Sequence, residues 1–367
     1  MSVADLALQR SKYKHLSDEE WRWFLQQVEG KERTADKLPT FASIPDWWYP
    51  VRLSCEQCSS ELAARYKASL VSGETMVDLT GGYGVDTYFI SEGFVHTDYV
   101  EQNAELCRIA EHNFSHKPIS IHNTSAEEFL ASAGEYDLIF IDPARRDSHG
   151  GKVFRLEDCT PNVVELLPTL LQHGKRLMIK LSPMLDLTQA VTSLSQVSWD
   201  IFVVAIKNEV KEVLLLSGGS GQITAIDLTQ KDQAFVFSRG EEQNCILEIG
   251  NWKLENYLYE PSAAILKAGA YKLIAERFGL HKLDVNTHLY GSDTLIEHFP
   301  GRIWRITEKQ DLKQANVLCR NYPLTPEQLK KKLHLKDGGT AYVIGCRVNN
   351  KPTLFFAERI EDIHSKS

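Results

Sequence analysis

The sequence predicts an α/β fold: an open, mostly parallel sheet covered by helices on both faces, with a helical extension before it and an α+β module after it. Three observations carry that prediction. Between residues 74 and 217, short apolar runs alternate with amphipathic stretches, the pattern of parallel strands joined by crossover helices. The first run, Met76-Val77-Asp78-Leu79, stops in a glycine-dense turn, Thr80-Gly81-Gly82-Tyr83-Gly84, and a helix can open at Val85. Beyond residue 221 that alternation is lost.

At 367 residues the chain is long enough for two or three domains. The expected division is a helical region over 1–70, the parallel-sheet domain over 71–220, an α+β segment over 221–323 and a last module over 324–367. Its composition, 43% hydrophobic and 25% charged, is that of a soluble globular protein. No apolar run approaches the roughly 20 residues that span a bilayer. The start, Met1-Ser2-Val3-Ala4-Asp5, lacks a charged-then-apolar signal, so a cytoplasmic protein with no membrane partner is expected. Seven cysteines at irregular spacing argue against a disulfide framework. Cys55-Glu56-Gln57-Cys58 has no second pair or neighbouring histidine, so a helix-start pair is favoured over a zinc or redox site, and no metal is expected. The net charge of −8 confines any nucleic-acid contact to a local patch.

Ser17 and Glu20 form a capping box ahead of Trp21, Phe24, Leu25 and Val28, which recur at helical spacing. Pro39, Pro45 and Pro50 predict an extended stretch over 41–53. Its Trp47, Trp48 and Tyr49 either stack on bases or pack the arm onto the main domain, and packing is favoured. A second helix is expected over 56–70. After the glycine turn, a strand over 95–100 ends at Glu101, 17 residues beyond Gly84, about where a nucleotide fold places the acid for the ribose hydroxyls. A helix over 104–112 and a strand over 119–122 lead to Ser125-Ala126-Glu127, at the position that flanks a bound base.

The fourth strand, 137–141, runs into Asp142-Pro143-Ala144-Arg145-Arg146-Asp147. Ligands of such sheets sit beyond the carboxyl ends of the strands, so this turn should face the glycine turn. Pro143 fixes the turn and leaves its carbonyl free to accept from an amine or ring N–H; Asp142 can accept a second bond or help hold the ligand. Arg145 and Arg146 either clamp a substrate phosphate or pair with Asp147 and Asp158 at the surface. A helix over 161–171 and a strand over 176–181 follow, the strand ending in Ser182-Pro183-Met184. An antiparallel hairpin, 201–206 with 210–216, is expected to turn at Asn208-Glu209 and close a seven-stranded sheet. Gly218-Gly219-Ser220-Gly221 reads as a linker.

The remainder predicts strands over 223–226, 234–237 and 245–249, a helix over 262–278, strands over 287–289 and 302–306, and a helical stretch over 311–317. Thr325-Pro326-Glu327 starts a helix over 328–333, and Asp337-Gly338-Gly339 leads into a hairpin, 341–346 with 352–357. Residues 301–340 carry nine Lys/Arg against four acids. Lys330-Lys331-Lys332 is the best candidate phosphate contact there, with a solvated face as the plain alternative.

The glycine turn departs from a dinucleotide fingerprint, because Val85, Asp86 and Thr87 follow the second glycine of that motif. With Asp78 in the strand, it resembles the Asp/Glu-x-Gly-x-Gly-x-Gly loop of class I S-adenosylmethionine (SAM) methyltransferases, Thr80 replacing the first glycine. Together with the Asp142 turn and with Asn321-Tyr322-Pro323-Leu324-Thr325-Pro326-Glu327-Gln328-Leu329, the chain resembles the bacterial members of that class that carry a THUMP-like domain at the carboxyl end. The resemblance implies a Rossmann-like methyltransferase sheet, a ferredoxin-like segment near 280–323 and a THUMP-like domain from about 324. It implies SAM as cofactor, held by Asp78, Thr80, Gly81, Gly82, Gly84, Asp86, Glu101, Ala126, Glu127 and Asp142, with Asp142, Pro143, Ala144 and Arg145 as catalytic residues. It implies RNA as partner, met by Arg320, Lys330, Lys331, Lys332 and Lys336. Asp-Pro-Ala-Arg also resembles the motif of RNA uracil-C5 methyltransferases. Those use a cysteine at the end of the next strand, where this chain has Leu181-Ser182-Pro183, so direct transfer to a base nitrogen of transfer or ribosomal RNA is expected. A small-molecule or protein methyltransferase, or a non-catalytic RNA-binding protein, is the alternative.

Overall fold

The computed structural model describes residues 3–145, 155–230, 233–247, 256–309 and 311–360. Arg146, Asp147 and part of the strand expected at 245–249 lie outside the described residues. The chain divides into two compact units, Met1–Trp199 with Leu214–Gly218 and Asp200–Val213 with Gly219–Ser367.

In the first unit, strands β1 (Gly73–Asp78), β2 (Phe94–Val100), β3 (Ile119–His122) and β4 (Tyr136–Ile141) pair in parallel in the order β3-β2-β1-β4. After β4 the chain leaves the sheet through two short antiparallel strands, β5 (Ala144–Arg145) and β6 (Cys159–Thr160), and returns as β7 (Gly174–Leu181) parallel to β4. Met76, Val77, Leu138–Ile141 and Leu177–Ile179 are all buried. Helices cover both faces of a parallel sheet, so its strands read as continuous apolar runs rather than alternating ones.

The helix Asp18–Thr34 starts at the expected capping box, with Ser17 and Glu20 each accepting from the other's backbone N–H. The stretch expected to be extended holds the short helices Pro39–Ser43 and Arg52–Gln57, because Pro39 at the first turn pre-sets a helical φ. The helix expected over 56–70 is Glu61–Ala68; extended backbone at Cys58 separates it from its predecessor. Trp47 and Tyr49 are buried beside Leu38, Phe41, Tyr83 and Phe114. The aromatic arm therefore packs onto the unit, and Trp47 stacks on Phe41 at 4.1 Å.

The second unit begins within β8 (Trp199–Ile206) and takes in the first part of β9 (Glu209–Ser217). The hairpin turns at Lys207-Asn208, one residue earlier than expected, with φ of 53° and 60°. Two strands expected in the tail, β10 (Gln222–Asp227) and β11 (Phe235–Ser238), continue this side: β10 pairs in parallel with β8, and β11 pairs antiparallel with β10. Asp200 Oδ1 anchors the return by accepting from Gly221 N and Gln222 N, both at 3.0 Å. Gly218-Gly219-Ser220-Gly221 is thus a tight turn rather than a free linker.

The rest of the unit is a mixed sheet. It is built from β12 (Tyr257–Pro261), β13 (His281–Asp284), β14 (Thr287–Ser292), β15 (Gly301–Thr307), β16 (Asn316–Arg320), β17 (Ala341–Val348) and β18 (Lys351–Ile360), in the order β13-β14-β12-β15-β18-β17-β16. The helix expected over 262–278 is broken by Gly269 at φ 86° into Ala263–Ala268 and Leu273–Phe278. The stretch expected to be helical over 311–317 leads instead into β16, where the backbone pairs in parallel with β17 and Ala315 and Val317 enter one core at strand spacing. The helix expected to start at Thr325-Pro326-Glu327 is Pro326–Lys332; Thr325 caps it reciprocally with Gln328, and Leu329 anchors it to Val317 and Val343. Among the described residues no helix is long and apolar enough to cross a membrane.

Candidate active site

The carboxyl ends of β1, β2, β4 and β7 meet at a cavity of about 420 Å³ that lies wholly in the first unit. At its floor Asp78 is buried. Its Oδ1 accepts from Thr80 N at 2.9 Å and its Oδ2 from the Thr87 hydroxyl at 2.5 Å. The Asp78 carboxyl is thereby tied to both ends of the glycine turn. Burial pushes it up to about 7, although the bonds from Thr87 and Thr80 favour the ionised form.

The turn must be bare to fit. A β-carbon on Gly81 would stand 2.1 Å from a ring carbon of Tyr99, and one on Gly84, at φ 79°, would stand 2.4 Å from Phe114. Gly82 donates its N–H to Glu101 Oε2 at 2.9 Å, and its carbonyl accepts from the Tyr99 hydroxyl at 2.5 Å. Glu101 Oε1 accepts from Asn103 N at 2.8 Å. Both oxygens of Glu101 thus shape the rim while each keeps further acceptor capacity toward the cavity.

The Asp142 turn is stapled to the glycine turn, because Asp142 N donates to Thr80 Oγ1 at 2.7 Å. The threonine that replaces the usual glycine is therefore the link between the two motifs. Asp142 and Ala144 line the cavity; Pro143 lies between them outside the lining. Arg145 is in β5. Ala126 lines the cavity, whereas Glu127 is exposed outside it.

Sequence reasoning missed a buried ion network under this floor. Lys180 Nζ lies 2.5 Å from Asp142 Oδ2 and 3.0 Å from Asp86 Oδ2, and Lys67 Nζ lies 3.2 Å from Asp86 Oδ1. The Ser59 hydroxyl donates to Asp86 at 2.7 Å. Burial alone would raise Asp86, but Lys180 and Lys67 beside it hold its carboxyl well below the usual carboxylate range. Two signals for this network stood in the sequence: a lysine inside an apolar strand run (Lys180), and a lysine on the apolar face of a helix, four residues beyond Ala63 (Lys67). Ser54, Gln57, Cys58 and Ser59 supply another wall. The arm braces the turn as well, since Trp47 Nε1 donates to the Tyr83 hydroxyl at 2.9 Å. Burial pushes the Cys58 thiol up, which keeps it protonated and a poor nucleophile. Among the described residues no cluster of His, Cys, Asp and Glu could hold a metal ion.

In the second unit the predicted basic residues divide in two. Arg320 is half-buried and its Nε donates to the buried Glu260 at 2.5 Å; Lys330 pairs with Asp337. Lys331, Lys332 and Lys336 are exposed.

A bare glycine turn above a buried acid, a rim acid one strand over and a proline turn stapled opposite define a class I SAM-dependent methyltransferase. The cavity's walls suit that donor: polar backbone and carboxylates on one side, Val100, Leu106 and Ala126 on the other. Two family models match the second unit, a ferredoxin-like domain over residues 257–300 and a THUMP domain-like one over 301–359. The crystal structure of a candidate methyltransferase from Porphyromonas gingivalis W83 superposes with a TM-score of 0.85 at 31% identity, over 94% of this chain and 92% of that one. Two proteins from strains of Mycobacterium tuberculosis, described as uncharacterized SAM-dependent methyltransferases, are 22% identical over 343 residues, covering 89% of this chain and 92% of each. The chain belongs to the class I SAM-dependent methyltransferases with ferredoxin-like and THUMP-like domains at the carboxyl end.

Proposed function

We propose that this enzyme transfers a methyl group directly to a base nitrogen of structured RNA, transfer or ribosomal. The observation that carries the reading is the 2.7 Å bond from Asp142 N to Thr80 Oγ1, which fixes the donor turn and the substrate turn to one cavity. The THUMP-like match and the exposed Lys331, Lys332 and Lys336 support RNA as the partner.

SAM supplies an electrophilic methyl on a sulfonium. The chain's own residues bind and align. Gly81, Gly82 and Gly84 let the backbone approach the donor, Asp78 and Thr80 hold the turn's shape, and Glu101 accepts from ribose hydroxyls. Asp86 acts through its lysine partners, keeping Lys180 against Asp142. Asp142 and the Pro143–Ala144 turn present acceptors to an extruded base and hold its attacking nitrogen in line. Nitrogen is favoured over carbon because it needs no covalent activation. The strand end that would carry a thiol reads Leu181-Ser182, and the thiol that lines the cavity, Cys58, is held protonated.

Mass spectrometry of nucleosides from wild-type and deletion strains tests this. One methylated base should vanish from the deletion strain, and purified enzyme with SAM should restore it on that strain's RNA. Identical nucleoside profiles across total RNA would reject RNA as the substrate.

A further inference from the structure

A second cavity, of about 510 Å³, lies wholly within the second unit. Its wall joins parts of the chain far apart in sequence: the Lys207-Asn208 turn, the turn after β10, the start of β15 and the end of β18. Three cations line it, Lys207, Arg302 and Arg359, against one carboxylate, Asp227. Asp227 is already engaged. Its Oδ2 accepts from Asn208 N at 2.5 Å, and its Oδ1 accepts from Thr229 N at 3.0 Å and the Thr229 hydroxyl at 2.6 Å.

The positive side is left in surplus. Arg302 donates to Glu260, but that one buried carboxylate also takes Arg320. Arg302 Nε is buried with no hydrogen-bond partner among the described residues. Lys207 and Arg359 are exposed and make no ion pair among the described residues. Lys207 sits at φ 53°, a left-handed conformation that costs a lysine energy, and Asn208 fixes the tip by accepting from Ala263 N at 2.7 Å. The hairpin turn and the Asn208 bond thus set where the Lys207 backbone stands at this rim.

The geometry points to an oxyanion site for the phosphoryl group of a nucleotide, gripped by Lys207, Arg302 and Arg359. Guanidinium forks and an ammonium around a concave surface match phosphate oxygens. The volume falls in the roughly 300–1,000 Å³ range of small-ligand sites, larger than a bare phosphate needs. A backbone phosphate of the RNA substrate is one source of that group and a free phosphorylated nucleoside the other. The first source rests on RNA being the methyl acceptor.

Calorimetric titration of the full chain with inorganic phosphate, and separately with total transfer RNA, tests the site. The exposed pair Lys207→Gln/Arg359→Gln should weaken phosphate binding at least tenfold without changing SAM binding. It should also lower the salt slope of RNA binding by about 0.7–0.9 for each backbone phosphate that is no longer neutralised. Arg302→Gln should act likewise, and the exposed pair decides the matter if that variant fails to fold. Loss of both signals assigns the RNA backbone as source. Loss of phosphate binding alone, with RNA affinity unchanged or absent in the wild type, supports the site with a free nucleotide as ligand. A double variant that matches the wild type in both titrations overturns the site.

Discussion

The two cavities handle charge in opposite ways. Under the first, two aspartates face two lysines, and the Asp86 pairs are shut away, its side chain 9% exposed against 12% for Lys180 and 0% for Lys67, while Asp142 reaches the rim at 38%. Around the second, cations outnumber acids, and two of the three stand in solvent. Closed, balanced charge makes a rigid floor that survives only as a complete set. Open, unbalanced charge leaves the fold indifferent to the exposed Lys207 and Arg359, which are free to meet an anion. The first arrangement suits a zwitterionic donor held in one pose, and the second suits a phosphate.

Substitutions in each region put this contrast at risk. The largest effect on donor binding belongs to the bare turn. Gly81→Val puts side-chain atoms into the Tyr99 ring, and SAM binding by calorimetry should vanish while the fold loses about 1–3 kcal/mol. Next comes the closed network. Lys180→Met leaves Asp86 and Asp142 each short of a cation and should cost about 3–5 kcal/mol in urea unfolding. Lys180→Arg should recover part of that loss.

The third effect is a pH dependence. Asp78 titrates higher in the folded protein, about 7, than a carboxylate in the unfolded chain, so between those values the folded state holds the extra proton. Its contribution to stability is complete below the unfolded pKa and is lost as pH rises through about 7, at up to roughly 1.4 kcal/mol per pH unit. Asp86 runs the other way: its depressed value gives stability above the unfolded pKa that is lost as pH falls toward its folded one. Melting temperature against pH should flatten between about pH 4 and 7 in Asp78→Asn, which keeps an acceptor for Thr80 N. An unchanged slope would remove Asp78 as the titrating group. The smallest effect on the fold belongs to Lys331→Gln/Lys332→Gln, whose melting temperature should match the wild type while RNA affinity falls a few-fold in low salt.

Local grammar was legible from the chain alone. The Ser17–Glu20 cap, the helix start at Thr325-Pro326-Glu327, the buried parallel strands and the glycine turn are all set by neighbours within a few residues, where rotamer, cap and period rules act. Asp78, Gly81, Gly82, Gly84 and Asp142 were brought to one cavity as expected, because a strand end followed by a turn fixes where its residues point. Errors fell where local rules were silent or tied. Residues 311–317 carry a pattern that helix and strand share, and pairing with β17 decided it. The break at Gly269 and the addition of β10 to β8 were likewise settled by interactions that no local window contains.

The sequence by itself determined the buried parallel strands, the glycine turn and hence the class of enzyme, since those depend on bonds between near neighbours. Only tertiary structure decided that Lys67, Lys180 and Ser59 converge on Asp86, that Trp47 braces Tyr83, and that Lys207, Arg302 and Arg359 share one wall. Electrostatic and packing energies depend on distance through space, and spacing along the chain leaves that distance open until the strands have paired.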